Sequence, residues 1–466
     1  MTHIFKRELL DQLTSFKFAA GLLLALLLFG VNGAVFSLRY RSEVLGYRRI
    51  QQRWEQQLAG RKKLDDLPNQ DFSVLKTPLK ATFLASGGQD RLPDAYRFAI
   101  NIWGDMPGAY RASSQNALLE SFQALDWSFL VGTAFSLLAL VFAYDSVSGE
   151  KARGTLKLLQ TYNLSRNSIL FGKLLANLAM LLVMLVSGML LSLLLLLLIG
   201  QIDLGAAEWA RGGLFLVLSA FYLTLFLCLA LFLSTITHRP TASMVLSVMA
   251  WVISIIVIPG TGTLIIQHVQ KLPTQNEVGE RAGKVYDLIN AEFKDHASDW
   301  RGRDAGKADN YSVERMSTVA QNKRKHLQEE IWEDYLRQKF EQARVVRRIS
   351  SVSPTALFGY GAESLNGTGV LRDEAMVKEA HQYRNTLEEW IRQRDLLDPG
   401  SPHLLFQPDY LSLQPLVAAS VPRYQFREPT VAEGLRDALW RIVILSAETL
   451  TMLFAAVLAF QRYDVR

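Results

Sequence analysis

The sequence predicts a mainly α-helical polytopic membrane protein with six transmembrane helices, both termini cytoplasmic, and two extracytoplasmic insertions, the second containing a helical hairpin. Three observations carry this expectation. Half of the 466 residues are hydrophobic and 20% are charged, but the two classes are segregated into blocks. Six of the apolar blocks reach the length of about 18 residues that a bilayer crossing requires. The basic residues of the short connections fall on one side of the resulting zigzag, as membrane orientation demands.

The spans are expected at Phe16–Leu38, Trp127–Tyr144, Leu174–Gly200, Gly213–Ile236, Ser243–Ile266 and Leu439–Phe460. Met189 to Ile199 is almost pure leucine, with Ser192 as its polar exception, so it lacks the polar face of a soluble surface helix. The first block is longer than a signal h-region, and Phe36-Ser-Leu-Arg-Tyr offers no small-x-small cleavage site; it is expected to remain as a signal anchor. The single cysteine, Cys228, excludes an internal disulfide. The net charge of +6 is assigned to orientation, because no zinc-finger spacing, RNA-binding aromatic signature or long basic run accompanies it, and nucleic acid is not expected as a partner.

Orientation follows from Lys6, Arg7 and Lys17 before the first span, Lys151, Arg153, Lys157, Arg166 and Lys173 between the second and third, His238 and Arg239 between the fourth and fifth, and Arg462 and Arg466 after the sixth. The short loop on the other side carries Asp203 and Glu208, with Arg211 at its edge. Residues 1–15, 145–173 and 461–466 are therefore placed in the cytoplasm, and 39–126 and 267–438 outside as two domains. In the first of these, Tyr47, Ile50, Trp54 and Leu58 keep helical spacing and continue the first span outward. In the second, Val278, Ala282, Ile289 and Phe293 mark one helix and Leu327, Ile331, Leu336 and Phe340 another, with the polar stretch 299–310 as their connection. Ser353-Pro354 stops the second of them.

The most informative segment is the polar connection that begins Asp145-Ser-Val-Ser-Gly-Glu-Lys-Ala-Arg-Gly-Thr-Leu. Its charged ends and its leucines Leu156, Leu158 and Leu159 suit a short helix docking in a groove of a soluble partner, and equally an interfacial helix with no partner. Gly149 and Gly154 would allow tight turns, and Asp145 and Glu150 would pair with basic groups. Gly149 to Thr155 approaches a phosphate-binding loop but lacks its lysine and the preceding strand, so the chain has no visible ATPase of its own and no enzyme activity is expected.

Read in order, Asp145, Ser148-Gly149-Glu150, Gly154-Thr155-Leu156, Ser165-Arg166 and Gly172-Lys173 resemble the cytoplasmic coupling segment of ABC-2 type transporter permeases. The N-terminal face of Phe5, Leu9, Leu10, Leu13 and Phe16 resembles the elbow helix that precedes the first span of that family. Ser353 to Gly369 resembles a Ser-Pro…Gly-Thr stretch of the branch with large extracytoplasmic insertions. The resemblance implies ATPase coupling through Asp145, Gly149, Glu150, Gly154, Thr155, Leu156, Ser165 and Arg166. It also implies two cytoplasmic ATPase subunits that bind the ATP and Mg, no cofactor in this chain, a second permease subunit that is identical or homologous, and a bacterial inner membrane.

Two intramembrane polar residues are candidates for a translocation path. Glu448 sits mid-way along the last span, where a carboxyl group faces a cavity, the bundle interior, or a partner such as Arg441 two turns away. Asn32, like Asn177, is read either as path-lining or as interhelical glue, and glue is the better reading of an intramembrane amide. The seven histidines form no His-x-x-x-His pair, no nucleophile elbow is present, and no metal is expected. Two other functions remain open from sequence: a mechanotransmitter that moves outer domains without carrying cargo, and a scaffold with no ATPase. The large insertions leave room for an extracytoplasmic partner.

Overall fold

The computed structural model describes residues 2–68, 70–88, 93–101, 108–110, 125–155, 165–261, 271–293, 310–404, 407 and 410–463. Six of its helices are long and apolar enough to cross a membrane: Phe16–Ala59, Trp127–Arg153, Arg166–Gly200, Ala206–Ile236, Pro240–Thr261 and Val431–Arg462. Residues 262–266, the expected end of the fifth span, lie outside the described residues.

The chain begins with α1 (Thr2–Leu13) and turns at Ser15 into α2 (Phe16–Ala59). The Ser15 hydroxyl accepts from the Phe18 N–H at 3.1 Å, satisfying one of the N-terminal amides that a helix leaves open. At 1.5 Å per residue, α2 is about 66 Å long, roughly twice the hydrocarbon thickness, so its second half stands clear of a bilayer. Three antiparallel strands follow in the order β1 (Asp71–Leu75), β2 (Ala95–Ala99) and β3 (Gly108–Tyr110).

The second span, α3, starts at Trp127–Phe129, widens into a π-helical stretch over Leu130–Phe135 and tightens again over Ser136–Ala143. A π turn leaves carbonyls off the regular ladder. Here the Gly132 carbonyl accepts from the Tyr222 hydroxyl at 2.7 Å. A short helix, α4 (Ser148–Arg153), caps this end. Then come α5 (Arg166–Leu195, continued by Leu196–Gly200), α6 (Ala206–Ile236) and α7 (Pro240–Val252, continued by Ile253–Val257). In the bundle α2 lies on α5, α3 on α6, and α1 crosses the start of α5.

The second insertion opens with α8 (Gln275–Glu292) and α9 (Asn310–Ser350), which run antiparallel. The Gln328 amide donates to the Ala282 carbonyl at 2.9 Å, and Lys323 pairs with Glu292 at 2.6 Å. After α10 (Pro354–Asn366) and α11 (Val370–Leu396), a strap over 421–430 leads into the last span, α12 (Val431–Arg462).

Two features depart from the expected layout of two separate outer domains. First, the insertions share one hydrophobic core: Leu58, Phe72, Tyr96 and Phe98 from the first pack with Met376, Tyr383 and Leu387 from the second. A buried ion pair, Lys76 with Asp373, and an Arg372 bond to the Thr77 carbonyl at 2.5 Å tie the halves together. Burial pushes the Asp373 carboxyl up and the Lys76 amine down, the mark of charges stripped of water. Second, α10 belongs to the bundle. Its face of Leu357, Phe358, Ala362 and Leu365 enters the same core as the spans, and Phe358 stacks on Tyr222 with centroids 4.4 Å apart.

Asp126 fixes the junction between this insertion domain and the bundle. Its carboxylate accepts from the Ser86 N–H at 2.7 Å, the Ser86 hydroxyl at 2.9 Å and, as N-cap of α3, the Phe129 N–H at 2.7 Å. Burial outweighs these bonds and raises its pKa to about 6. A raised carboxyl pKa contributes stability below the unfolded value that is lost as pH rises through the folded one. The protein is therefore expected to lose stability between about pH 4 and 6, by less than ~1.4 kcal/mol per pH unit, since one proton is involved and the residue is only part-buried. Asp126→Asn should flatten that slope in thermal melts across this range; an unchanged slope would assign it to another group.

Candidate functional site

α1, the segment carrying α4, and the C-terminal end of α12 all meet at one end of the bundle, opposite the insertion domain. The centre of the cluster is Lys173 on α5. Its side chain is 4% exposed, and its ammonium donates to Glu8 of α1 and to Glu150 of α4, both at 2.7 Å. One buried cation thus joins three elements. A buried ammonium is tolerated only when paired and hydrogen-bonded, so the two carboxylates are needed where they stand.

The rest of α4 is anchored with similar economy. The Val147 and Ser148 N–H groups donate to the Ser234 hydroxyl of α6 at 3.1 and 2.9 Å, so a neighbouring span caps this helix from outside. Asp145 pairs with Lys17 of α2 at 3.1 Å. Lys151 donates to the Thr235 carbonyl and, at 3.2 Å, to the Thr237 carbonyl, at the C-terminal end of α6, where a helix dipole favours a cation. Gly154 ends α4 with φ +73°, a left-handed conformation that glycine adopts freely. Gly149 lies inside α4 instead of at a turn.

The far end of the connection is also pinned. Ser165 is the N-cap of α5, its hydroxyl accepting from the Ser168 N–H at 3.2 Å. Arg166 donates to the Gln461 and Tyr463 carbonyls at 2.7 and 3.0 Å, closing the C-terminal end of α12. Ala152, Arg153, Gly154 and Thr155 remain exposed. Leu156, Leu158 and Leu159, three leucines of the expected docking helix, lie outside the described residues.

Of the two path candidates, Glu448 is half-buried on α12, and its Oε2 atom has no hydrogen-bond partner among the described residues. Arg441 is not its counter-ion: it pairs instead with Asp437 at 2.9 Å and donates to the Ser364 hydroxyl at 2.9 Å. Asn32 is 5% exposed, donates to the Leu125 carbonyl and accepts from the Ser192 hydroxyl at 3.4 Å, a tie between α2, α5 and the start of α3. Asn177 accepts from the Gln12 amide at 3.0 Å and so helps seat α1.

The sequence profile described as ABC-2 family transporter protein matches residues 2–465. The chain belongs to the ABC-2 transporter family. A stretch of 122 residues of this ABC-2 chain is also 34% identical to the probable ABC transporter permease protein NosY of Stutzerimonas stutzeri. That stretch is 26% of the chain and spans 44% of the relative, less than half of its length. For an ABC-2 protein, the geometry adds residues that the sequence did not single out as site residues: Lys173, Lys151, Ser234 and Tyr463. Lys173 had a signal, the Gly172-Lys173 end of the segment, but its two partners are remote in sequence.

Proposed function

We propose that this chain is the membrane-spanning permease subunit of an ABC transporter, driven by ATP that separate subunits hydrolyse. One observation carries the reading above the others: α4 and the turn before it are fastened to the membrane domain through Lys173, Ser234 and Lys17, while Ala152 to Thr155 stay exposed. A force applied to that exposed edge is delivered to α1, α2, α5 and α6 together. A free interfacial helix has no use for such anchoring. In this reading residues 145–173 face the cytoplasm, two ATPases bind ATP and Mg beneath them, and a second copy or homologue completes the membrane unit. The location is then an inner membrane. ATP-driven closure biases two arrangements of the bundle, a population shift.

Affinity purification in mild detergent tests this. A stoichiometric nucleotide-binding subunit is expected to accompany the wild type and to fall at least about tenfold, ~1.4 kcal/mol of binding, in a Glu150→Ala/Gly154→Val double variant. Recovery without any ATPase, under conditions that keep other transporters whole, would leave a scaffold. Glu448→Gln separates path from lever: lost cargo movement with retained ATP hydrolysis places Glu448 on a path, while unchanged movement removes it from one.

A further inference from the structure

α12 runs from the end carrying α4 to the insertion domain, and both of its ends are fastened. At the end carrying α4, two basic side chains hold it. Arg166 bonds the last carbonyls of α12, and the Lys151 ammonium lies 3.8 Å from the centroid of the Tyr463 ring, within cation–π range. Gln461 adds a bond to Asn167 at 3.0 Å. At the other end, α12 begins directly from the strap over 421–430, with Thr430 and Glu433 forming a capping box.

That strap is fastened to the insertion domain. Glu428 accepts from the Thr77 hydroxyl at 2.8 Å and pairs with Arg372 at 3.6 Å; the Pro422 carbonyl accepts from the Tyr383 hydroxyl at 3.0 Å. Just inside, Gly434 brings α12 against α10 so closely that a Cβ there would lie 2.3 Å from the Ser364 carbonyl oxygen. Arg441 and Asp437 bond the Ser364 hydroxyl at 2.9 and 2.6 Å. Neither end has slack.

We propose that α12 is a transmission rod, about 48 Å long, through which the coupling segment moves α10 and the insertion domain, with Lys151, Arg166 and Tyr463 as the positioning residues that engage it. The proposal rests on the ATPase-coupled reading and goes beyond it by naming the output and the route. α4 and the start of α5 do not act on α1 and α5 alone; Lys151 and Arg166 also hold the end of the last span. A displacement of α4 pulls Tyr463 through Lys151, and α12, closely packed on α10, carries the displacement to the strap.

Hydrogen–deuterium exchange on the purified complex, with and without Mg-ATP and orthovanadate, tests the route. Wild type is expected to show nucleotide-dependent exchange changes both at 145–155 and at the remote strap 421–430 and α10. Tyr463→Ala, which removes the ring, and Lys151→Gln, which removes the cation, should each cut the remote change at least about fivefold (~1 kcal/mol) while the change at 145–155 persists. Tyr463→Phe keeps the ring and should restore the remote change. A residue that merely stabilises the fold would shift exchange in both nucleotide states and leave their difference intact. A remote change undiminished in both variants, or absent from wild type while 145–155 responds, overturns the rod. No response at 145–155, or no ATPase in the complex, overturns the coupled reading and the rod with it.

Discussion

Lys173→Met is expected to have the largest effect of any single substitution at the coupling end. It leaves Glu8 and Glu150 facing each other around an apolar side chain. Breaking a buried ion pair by removing one member costs about 3–5 kcal/mol, and the lower figure applies here because Glu8 retains partial solvent access. The loss is local, so the expected phenotype is a bundle that still inserts but no longer holds α1 and α4 in place. ATPase co-purification should fall with Glu150→Gln as well, and less with Glu8→Gln, whose partner keeps Glu150. The Lys173→Met/Glu150→Gln double variant should cost less than the sum of the singles, since the two removals delete one shared interaction. Additive losses, or a Lys173→Met protein with wild-type melting and ATPase retention, would show that the triad carries no coupling.

The second large effect is expected at Gly434. Its neighbour is a backbone carbonyl, not the tip of a flexible side chain, so a methyl group cannot be accommodated by a rotamer change. Gly434→Ala must push α12 off α10 and stretch the bonds of Arg441 and Asp437 to Ser364. Overpacking of this kind costs about 1–3 kcal/mol, and the rigid neighbour places it at the upper end. Gly279→Ala is the matched control: it sits on an exposed part of α8 with nothing near its missing Cβ, and alanine there should stabilise by about 0.5–1 kcal/mol. Thermal melts in detergent of the two variants should therefore move in opposite directions. A Gly434→Ala melt equal to wild type would mean that α12 and α10 separate easily, which would also weaken the rod.

What could be read from sequence and what could not divides along range of interaction. The spans are legible because a run such as Leu174–Gly200 declares its environment by itself. The helix that continues out of the first span is legible because Tyr47, Ile50, Trp54 and Leu58 repeat at 3.6. The position of α10 was not. Its 13 residues fall short of a span, it lies in sequence within the second insertion, and its packing on the spans, Phe358 on Tyr222 among other contacts, is tertiary. Arg441 and Glu448 share a face by spacing, but Asp437 stands one turn from Arg441 on its other side, and Ser364 arrives from another helix to outcompete the acid. At the coupling end, local order marked the segment, whereas its anchors, Glu8 on Lys173 or Ser234 on Ser148, are chosen by tertiary packing that no periodicity encodes.

The common core of the two insertions sets a timetable for biosynthesis. Lys76 and its partner Asp373 are separated by 297 positions. At about 5–20 residues per second, the first half of the domain waits roughly 15–60 s before its other half is made. During that interval Phe72, Val74 and Tyr96 have no complete core to enter, and four further spans must be inserted. Nascent chains halted before α11 should accordingly expose this sheet to protease and to holding chaperones, and gain protection in a single step once α11 has emerged. Ribosomes paused anywhere in this window would lengthen the exposure, so translation speed here becomes a determinant of yield.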